Sequence, residues 1–167
     1  MGLEQHRAAG KRAAVCAVVT VSDTRTEEND TSGARIRALL VEAGHRIAAY
    51  DILPDEPERI RRRLEEFLAS AELDAVIVNG GTGLAPRDTT YEAVAGLLDK
   101  RIDGFGELFR MLSYEEIGAA AMLSRAVAGA ARGKLLASLP GSTAAVELAM
   151  TKLLVPELGH VVRLLRG

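Results

Sequence analysis

The sequence has one cysteine, Cys16, no tryptophan and only six aromatic residues in 167, and its charges nearly cancel, with 21 Lys and Arg against 23 Asp and Glu. Each shortage removes a class of protein. A single thiol can form neither an intrachain disulfide nor a cysteine-based zinc cluster, so an oxidising compartment has left no mark and a cytoplasmic setting is expected. A net charge of −2 lacks the basic footprint of phosphate-backbone binding, and Tyr50, Phe67, Tyr91, Phe105, Phe109 and Tyr114 are too few for a base-stacking platform. No nucleic-acid partner is expected. The apolar stretch from Ala13 to Val21 is far shorter than the roughly 20 residues that cross a bilayer, and it runs into Ser22-Asp23-Thr24 without the cleavage pattern of a signal peptide. No membrane partner is expected either. His6, His45 and His160 stand apart, without the H-E-x-x-H spacing of a zinc site.

What is present is a core-former. A chain of this length makes one domain, and 48% hydrophobic residues suffice to bury it. Residues 1–12 are polar and are expected to form a flexible N-terminal segment, leaving 13–167 as the domain. The uninterrupted, β-branched run Val15 to Val21 predicts a strand covered on both faces, and Asp74 to Asn79 predicts another. Between them Thr31-Ser32 can cap a helix carrying Ile36, Leu39, Leu40 and Ala43, which Gly44 ends. A strand over Ile47 to Leu53 follows, broken by Pro54-Asp55-Glu56-Pro57 ahead of a helix with Ile60, Leu64, Phe67 and Leu68 on one side. Asp55 with Glu58, and Thr89 with Glu92, have capping-box spacing. Arg61 and Arg62 stand four residues before Glu65 and Glu66, as on a solvated face. Phe105, Leu108, Phe109 and Leu112 mark an amphipathic helix, short strands are expected near 125–130 and 135–139, and a last helix follows Pro140-Gly141-Ser142. Strands alternating with helices predict an α/β fold, a three-layer α/β/α sandwich with a mostly parallel sheet.

In such sheets, ligands sit at the carboxyl ends of strands, which draws attention to Ser22 to Thr26, Pro54 to Pro57 and Gly80 to Thr90. Gly80-Gly81-Thr82-Gly83 lets the backbone turn tightly and present amide dipoles to an anion, although a purely structural turn fits the same pattern. Pro86 stands where a dinucleotide fingerprint requires glycine. Asp88 can serve an Asx turn and Asp55 a helix cap; a doubly wound topology could also place the two on one rim near the glycine nest, and two carboxylates beside a polyphosphate site are what a Mg²⁺ ion needs. Gly129 to Leu135 only imitates a P-loop, with its glycines one residue too close and Leu135 in place of Ser or Thr. Ser142 lacks the G-x-S-x-G elbow and reads as a helix N-cap, with a binding role open to it.

These segments, together with Gly104-Phe105-Gly106-Glu107 and Leu123-Ser124-Arg125, resemble in content and order the MoaB and MogA proteins of molybdenum cofactor biosynthesis, from about residue 15 to residue 155. The glycine loop with Arg87-Asp88 is the most specific part. The resemblance implies Mg-ATP-dependent adenylylation of molybdopterin, releasing pyrophosphate, in a homotrimer or homohexamer that hands its product to a molybdenum-insertion protein. It implies catalytic and Mg²⁺-binding roles for Asp55 and Asp88, nucleotide and phosphate contacts at Ser22, Asp23, Gly80, Gly81, Thr82 and Gly83, and pterin contacts at Ser124, Pro140, Gly141 and Ser142. Ser142-Thr143 follows the MoaB branch, some members of which have lost the Arg-Asp pair that this chain keeps. The alternative within the same pathway is a non-catalytic molybdopterin carrier.

Overall fold

A computed structural model describes residues 12–167; the expected flexible segment lies outside the described residues except for Arg12. Six strands form one sheet in the order β2-β1-β3-β6-β5-β4. They are β1 (Val15–Val21), β2 (Arg46–Leu53), β3 (Ala75–Asn79), β4 (Lys100–Arg101), β5 (Val127–Ala131) and β6 (Lys134–Leu139). The pairings of β1 with β2, β1 with β3 and β3 with β6 are parallel; β5 with β6 and β4 with β5 are antiparallel. The sheet is therefore mixed but largely parallel, as the sequence predicts. Gly133, at φ 77°, turns the β5–β6 hairpin.

Alternation along the central strands divides the core in two. Cys16, Val18, Ala75 and Ile77 face one layer, which contains α1 (Thr31–Glu42), α4 (Asp103–Ile117), α5 (Thr143–Ala149) and α6 (Val155–Arg166). Ala17, Val19, Val76 and Val78 face the other, which contains α2 (Pro57–Ala69) and α3 (Thr90–Leu97). This is the expected three-layer sandwich. A π-helical stretch, Met150–Leu154, joins α5 to α6, and a 3₁₀ turn, Gly118–Leu123, follows α4. Burial on both faces explains the continuous apolar runs. It also pushes the Cys16 thiol up to about 12, with Asp74 adding to the effect, so the lone cysteine is an inert core residue.

The helix starts differ from expectation in an informative way. The cap of α1 is Asp30, whose carboxylate accepts from the Gly33 N–H at 3.0 Å, in place of Thr31 or Ser32. In α2 the cap position belongs to Glu56 with Pro57 following, and Asp55 makes no capping bond. Pro57 pre-sets the first helical φ and has no orphan N–H to satisfy. Thr89 does stand at the cap of α3, but its side chain does not cap. Two of the capping residues are thus released for other partners, and both partners lie at the strand ends. Of the two expected α2 ion pairs, Arg61–Glu65 forms at 3.2 Å, while Glu66 pairs with Arg63.

Candidate functional site

The strand order reverses between β1 and β3, where β1 connects to β2 on one side of itself and the chain later enters β3 on the other. A crevice at the carboxyl ends is the geometric consequence. Three chain segments converge there. The Gly80 N–H donates to the Leu139 carbonyl at 3.0 Å, and a Cβ on Gly141 would lie 3.1 Å from the Gly80 Cα. A Cβ on Gly80, whose φ is 94°, would collide with the Val21 carbonyl. The Ser22 N–H donates to the Leu53 carbonyl at 2.8 Å, which adds the loop containing Asp55.

Asp55 is buried. Its Oδ1 accepts from the Thr89 hydroxyl at 2.7 Å and the Thr89 N–H at 3.2 Å, and its own N–H donates to Asp23 Oδ1 at 3.1 Å. The missing helix cap is explained: the Thr89 hydroxyl ties α3 to the Asp55 loop instead. Arg87 grips Asp23 with two bonds, Nε to Oδ2 at 2.7 Å and Nη2 to Oδ1 at 2.9 Å. The Arg87 guanidinium, followed by the Asp55 N–H, holds the Asp23 carboxyl below the usual carboxylate range. Asp23 is an anchor for two loops.

The remaining oxygens face the glycines. A Cβ on Gly81 would lie 2.5 Å from Asp55 Oδ2, and a Cβ on Gly83 would lie 2.5 Å from Asp88 Oδ2. The two acids therefore border one loop, against glycines whose Cα atoms are at most about 7 Å apart. Only glycine leaves room for either carboxylate. Among the described residues no hydrogen bond or ion pair engages the Asp88 carboxylate or Asp55 Oδ2. The Thr90 hydroxyl, also against Gly81, is buried without a hydrogen-bond partner. A cavity of about 550 Å³ opens beside Asp88, between Pro57 and Arg61 of α2 and Glu92 of α3.

This donor set fits Mg²⁺. Among the described residues no group of three or more His, Cys, Asp or Glu side chains could hold a metal ion, but Mg²⁺ in phosphate sites takes one or two carboxylates and completes its shell with water and phosphate oxygens. Unengaged hard oxygens beside a glycine loop meet that requirement, and the orphaned Thr90 hydroxyl is a further oxygen at the same place.

The other expected residues divide into two groups. Ser22 accepts from the N–H groups of Thr24 and Arg25 at 3.2 and 3.1 Å, shaping the first loop beside Asp23. Gly141, which follows Pro140, abuts Gly80, and the Ser142 hydroxyl caps α5 by accepting from the Ala145 N–H at 3.1 Å. The Thr143 hydroxyl, at 3.1 Å from that of Thr31, joins the start of α5 to that of α1. Ser124 makes no side-chain bond to the glycine loop; its neighbour Arg125 reaches that loop instead.

Sequence reasoning missed the support beneath the crevice. Asp30, 1% exposed, accepts from the hydroxyls of Thr20 at 2.6 Å, Tyr50 at 2.5 Å and Ser32 at 3.4 Å, besides the Gly33 N–H. Asn79, fully buried, donates to Thr20 Oγ1 at 2.9 Å and accepts from Ser32 at 3.0 Å. Strands β1, β2 and β3 and the start of α1 are thereby locked together. A polar residue at or near the end of an apolar run, as Asn79 and Thr20 are, is the available signal.

The fold and its rim, with backbone amides and unengaged carboxylates at a topological switch point, define an α/β protein with a crevice at the carboxyl ends of its strands. The chain belongs to the family described as probable molybdopterin binding domain, whose model matches residues 17–160, and it lies closest to the MoaB branch. It is 53% identical over 164 residues to molybdenum cofactor biosynthesis protein B of Halalkalibacterium halodurans, covering 98% of this chain and 96% of that one. A crystal structure of a molybdenum cofactor biosynthesis protein B matches with a TM-score of 0.91 at 51% identity, covering 93% of this chain and 98% of that one. The tungsten cofactor synthesizing protein MoaB from Pyrococcus furiosus matches with a TM-score of 0.85 at 36% identity, over 93% and 99%.

Proposed function

We propose that this protein binds molybdopterin at the crevice rim and acts in molybdenum cofactor biosynthesis. The glycine loop carries the reading: past Gly80, whose N–H is bonded to Leu139, its Gly83 N–H has no partner among the described residues and would meet the pterin's terminal phosphate, in a chain that shares its fold and about half its sequence with proteins named for this pathway. The carboxylate oxygens of Asp55 and Asp88 that no protein group engages favour a finer reading, Mg-ATP-dependent adenylylation of that phosphate. Bound Mg²⁺ would neutralise charge on the triphosphate as pyrophosphate leaves. Asp55 and Asp88 would hold its water shell, and Thr89 and Asp23 fix Asp55 for that task. The glycine amides would accept phosphate charge without reorganising. No covalent enzyme intermediate is needed, because positioning and charge neutralisation suffice for phosphoryl chemistry.

Exposed Leu108, Met111 and Ile117 of α4, with Met122 and Leu123 beyond it, favour assembly into the homotrimer or homohexamer that the resemblance implies. Pure protein mixed with molybdopterin and Mg-ATP tests the function: pyrophosphate release marks the adenylyltransferase, pterin binding without release marks the carrier, and absence of pterin binding refutes both.

A further inference from the structure

Arg125, just before β5, is the one side chain among the described residues that holds the glycine loop by its carbonyls. Its Nε donates to the Thr82 carbonyl at 2.9 Å and its Nη2 to the Gly83 carbonyl at 2.6 Å. The rest of its fork binds Glu92 of α3, and the guanidinium carbon lies 4.9 Å from the centre of the Tyr91 ring. Its side chain is 24% exposed. The guanidinium is therefore engaged by protein partners through all three of its nitrogens, although the side chain also lines the cavity beside Asp88.

Its effect passes through peptide geometry. No peptide bond in the described chain is cis, so each carbonyl points opposite to the N–H of the next residue. With the Thr82 and Gly83 carbonyls drawn to Arg125, the N–H groups of Gly83 and Leu84 point the other way. Among the described residues, neither of these N–H groups has a hydrogen-bond partner, and both residues are exposed. An amide pair aimed outward at the same side of a loop is an anion site.

We propose that Arg125 is a positioning residue, and that its fork on two consecutive carbonyls aims the Gly83 and Leu84 amides at a phosphate group of the ligand. The proposal rests on the reading of this rim as a phosphate site and adds the device that sets its geometry. Orientation, not charge, is the contribution, which separates Arg125 from an ordinary phosphate-binding arginine. A lysine keeps the charge but cannot reproduce a planar fork.

The test titrates Mg²⁺-pyrophosphate into ¹⁵N-labelled protein. In the wild type, the Gly83 and Leu84 amide resonances are expected to shift on binding. Arg125→Ala should weaken binding about tenfold, and Arg125→Lys nearly as much, as loss of an oriented charge-assisted bond implies. Unchanged resonances in the strands remote from the loop show that the fold survives, and if Arg125→Ala fails to fold, the lysine variant and the wild-type shifts decide. Binding that leaves the Gly83 and Leu84 amides unmoved, absence of pyrophosphate binding by the wild type, or full rescue by lysine would overturn the proposal. Arg125-dependent pyrophosphate binding in a protein that binds no molybdopterin would sink the functional reading and leave this inference standing.

Discussion

Asp55 and Asp88 illustrate how a carboxylate's role follows from which of its oxygens is already engaged. Asp55 Oδ1 is held by Thr89, while its Oδ2 and the Asp88 carboxylate face the glycines. Asp88→Asn should therefore abolish Mg-ATP-dependent AMP transfer while molybdopterin binding survives; turnover near the wild-type rate in a pyrophosphate-release assay would remove Asp88 from the mechanism. Asp30 is the structural counterpart. Burial by itself would raise its carboxyl, but bonds from Thr20, Tyr50, the Gly33 N–H and Ser32 more than offset that and hold it below the usual range. Because the folded-state value is depressed, the stability Asp30 confers is fully present above the unfolded value of about 4 and is lost as the pH falls through the folded one. Asp30→Asn should cost about 2–3 kcal/mol at pH 7, and urea titrations should show that difference shrinking below about pH 4. Tyr50 responds oppositely, its hydroxyl pushed up to about 12 by burial first and Asp30 second.

Among the elements, strand ends and helix starts matter more than their middles. Gly80 closes β3 at a positive φ with the Val21 carbonyl where a side chain would begin, so Gly80→Ala should lower stability by about 2 kcal/mol or more. Ser142→Ala, which removes one cap from α5, should cost only about 1 kcal/mol. Thermal melts of the two variants give the comparison. The same contrast explains what could be read in advance. β1 was legible to the residue because burial on both faces leaves an unbroken β-branched run. β4, two exposed charged residues on the sheet edge, carries no period that sequence could reveal. The capping-box spacings at Asp55 and Thr89 misled for a physical reason: the hydroxyl and carboxylate that could each cap a helix bond to one another across 34 residues. Local spacing cannot show a contact made by the fold. The glycine loop was legible because three glycines are needed for close approach, whereas the Arg125 fork was not, since nothing local links residue 125 to residue 82.

For the whole molecule, the sheet order puts every loop of the candidate site at one end. No helix among the described residues is long and apolar enough to cross a membrane. In the proposed assembly, Met111 and Ile117, 53% and 55% exposed in the single chain, would be covered by a second copy. Met111→Glu should shift sedimentation from an oligomer towards the monomer; a wild-type protein that sediments as a monomer would refute the assembly. The two readings of function also meet at this scale, because an adenylyltransferase and a carrier require the same pterin-binding rim. Equilibrium binding of molybdopterin to the pure protein tests that shared claim most directly. Saturable binding at one pterin per chain, weakened when Gly83→Val fills the space beside Asp88, is the predicted result, and a wild-type chain that binds no molybdopterin would contradict the account.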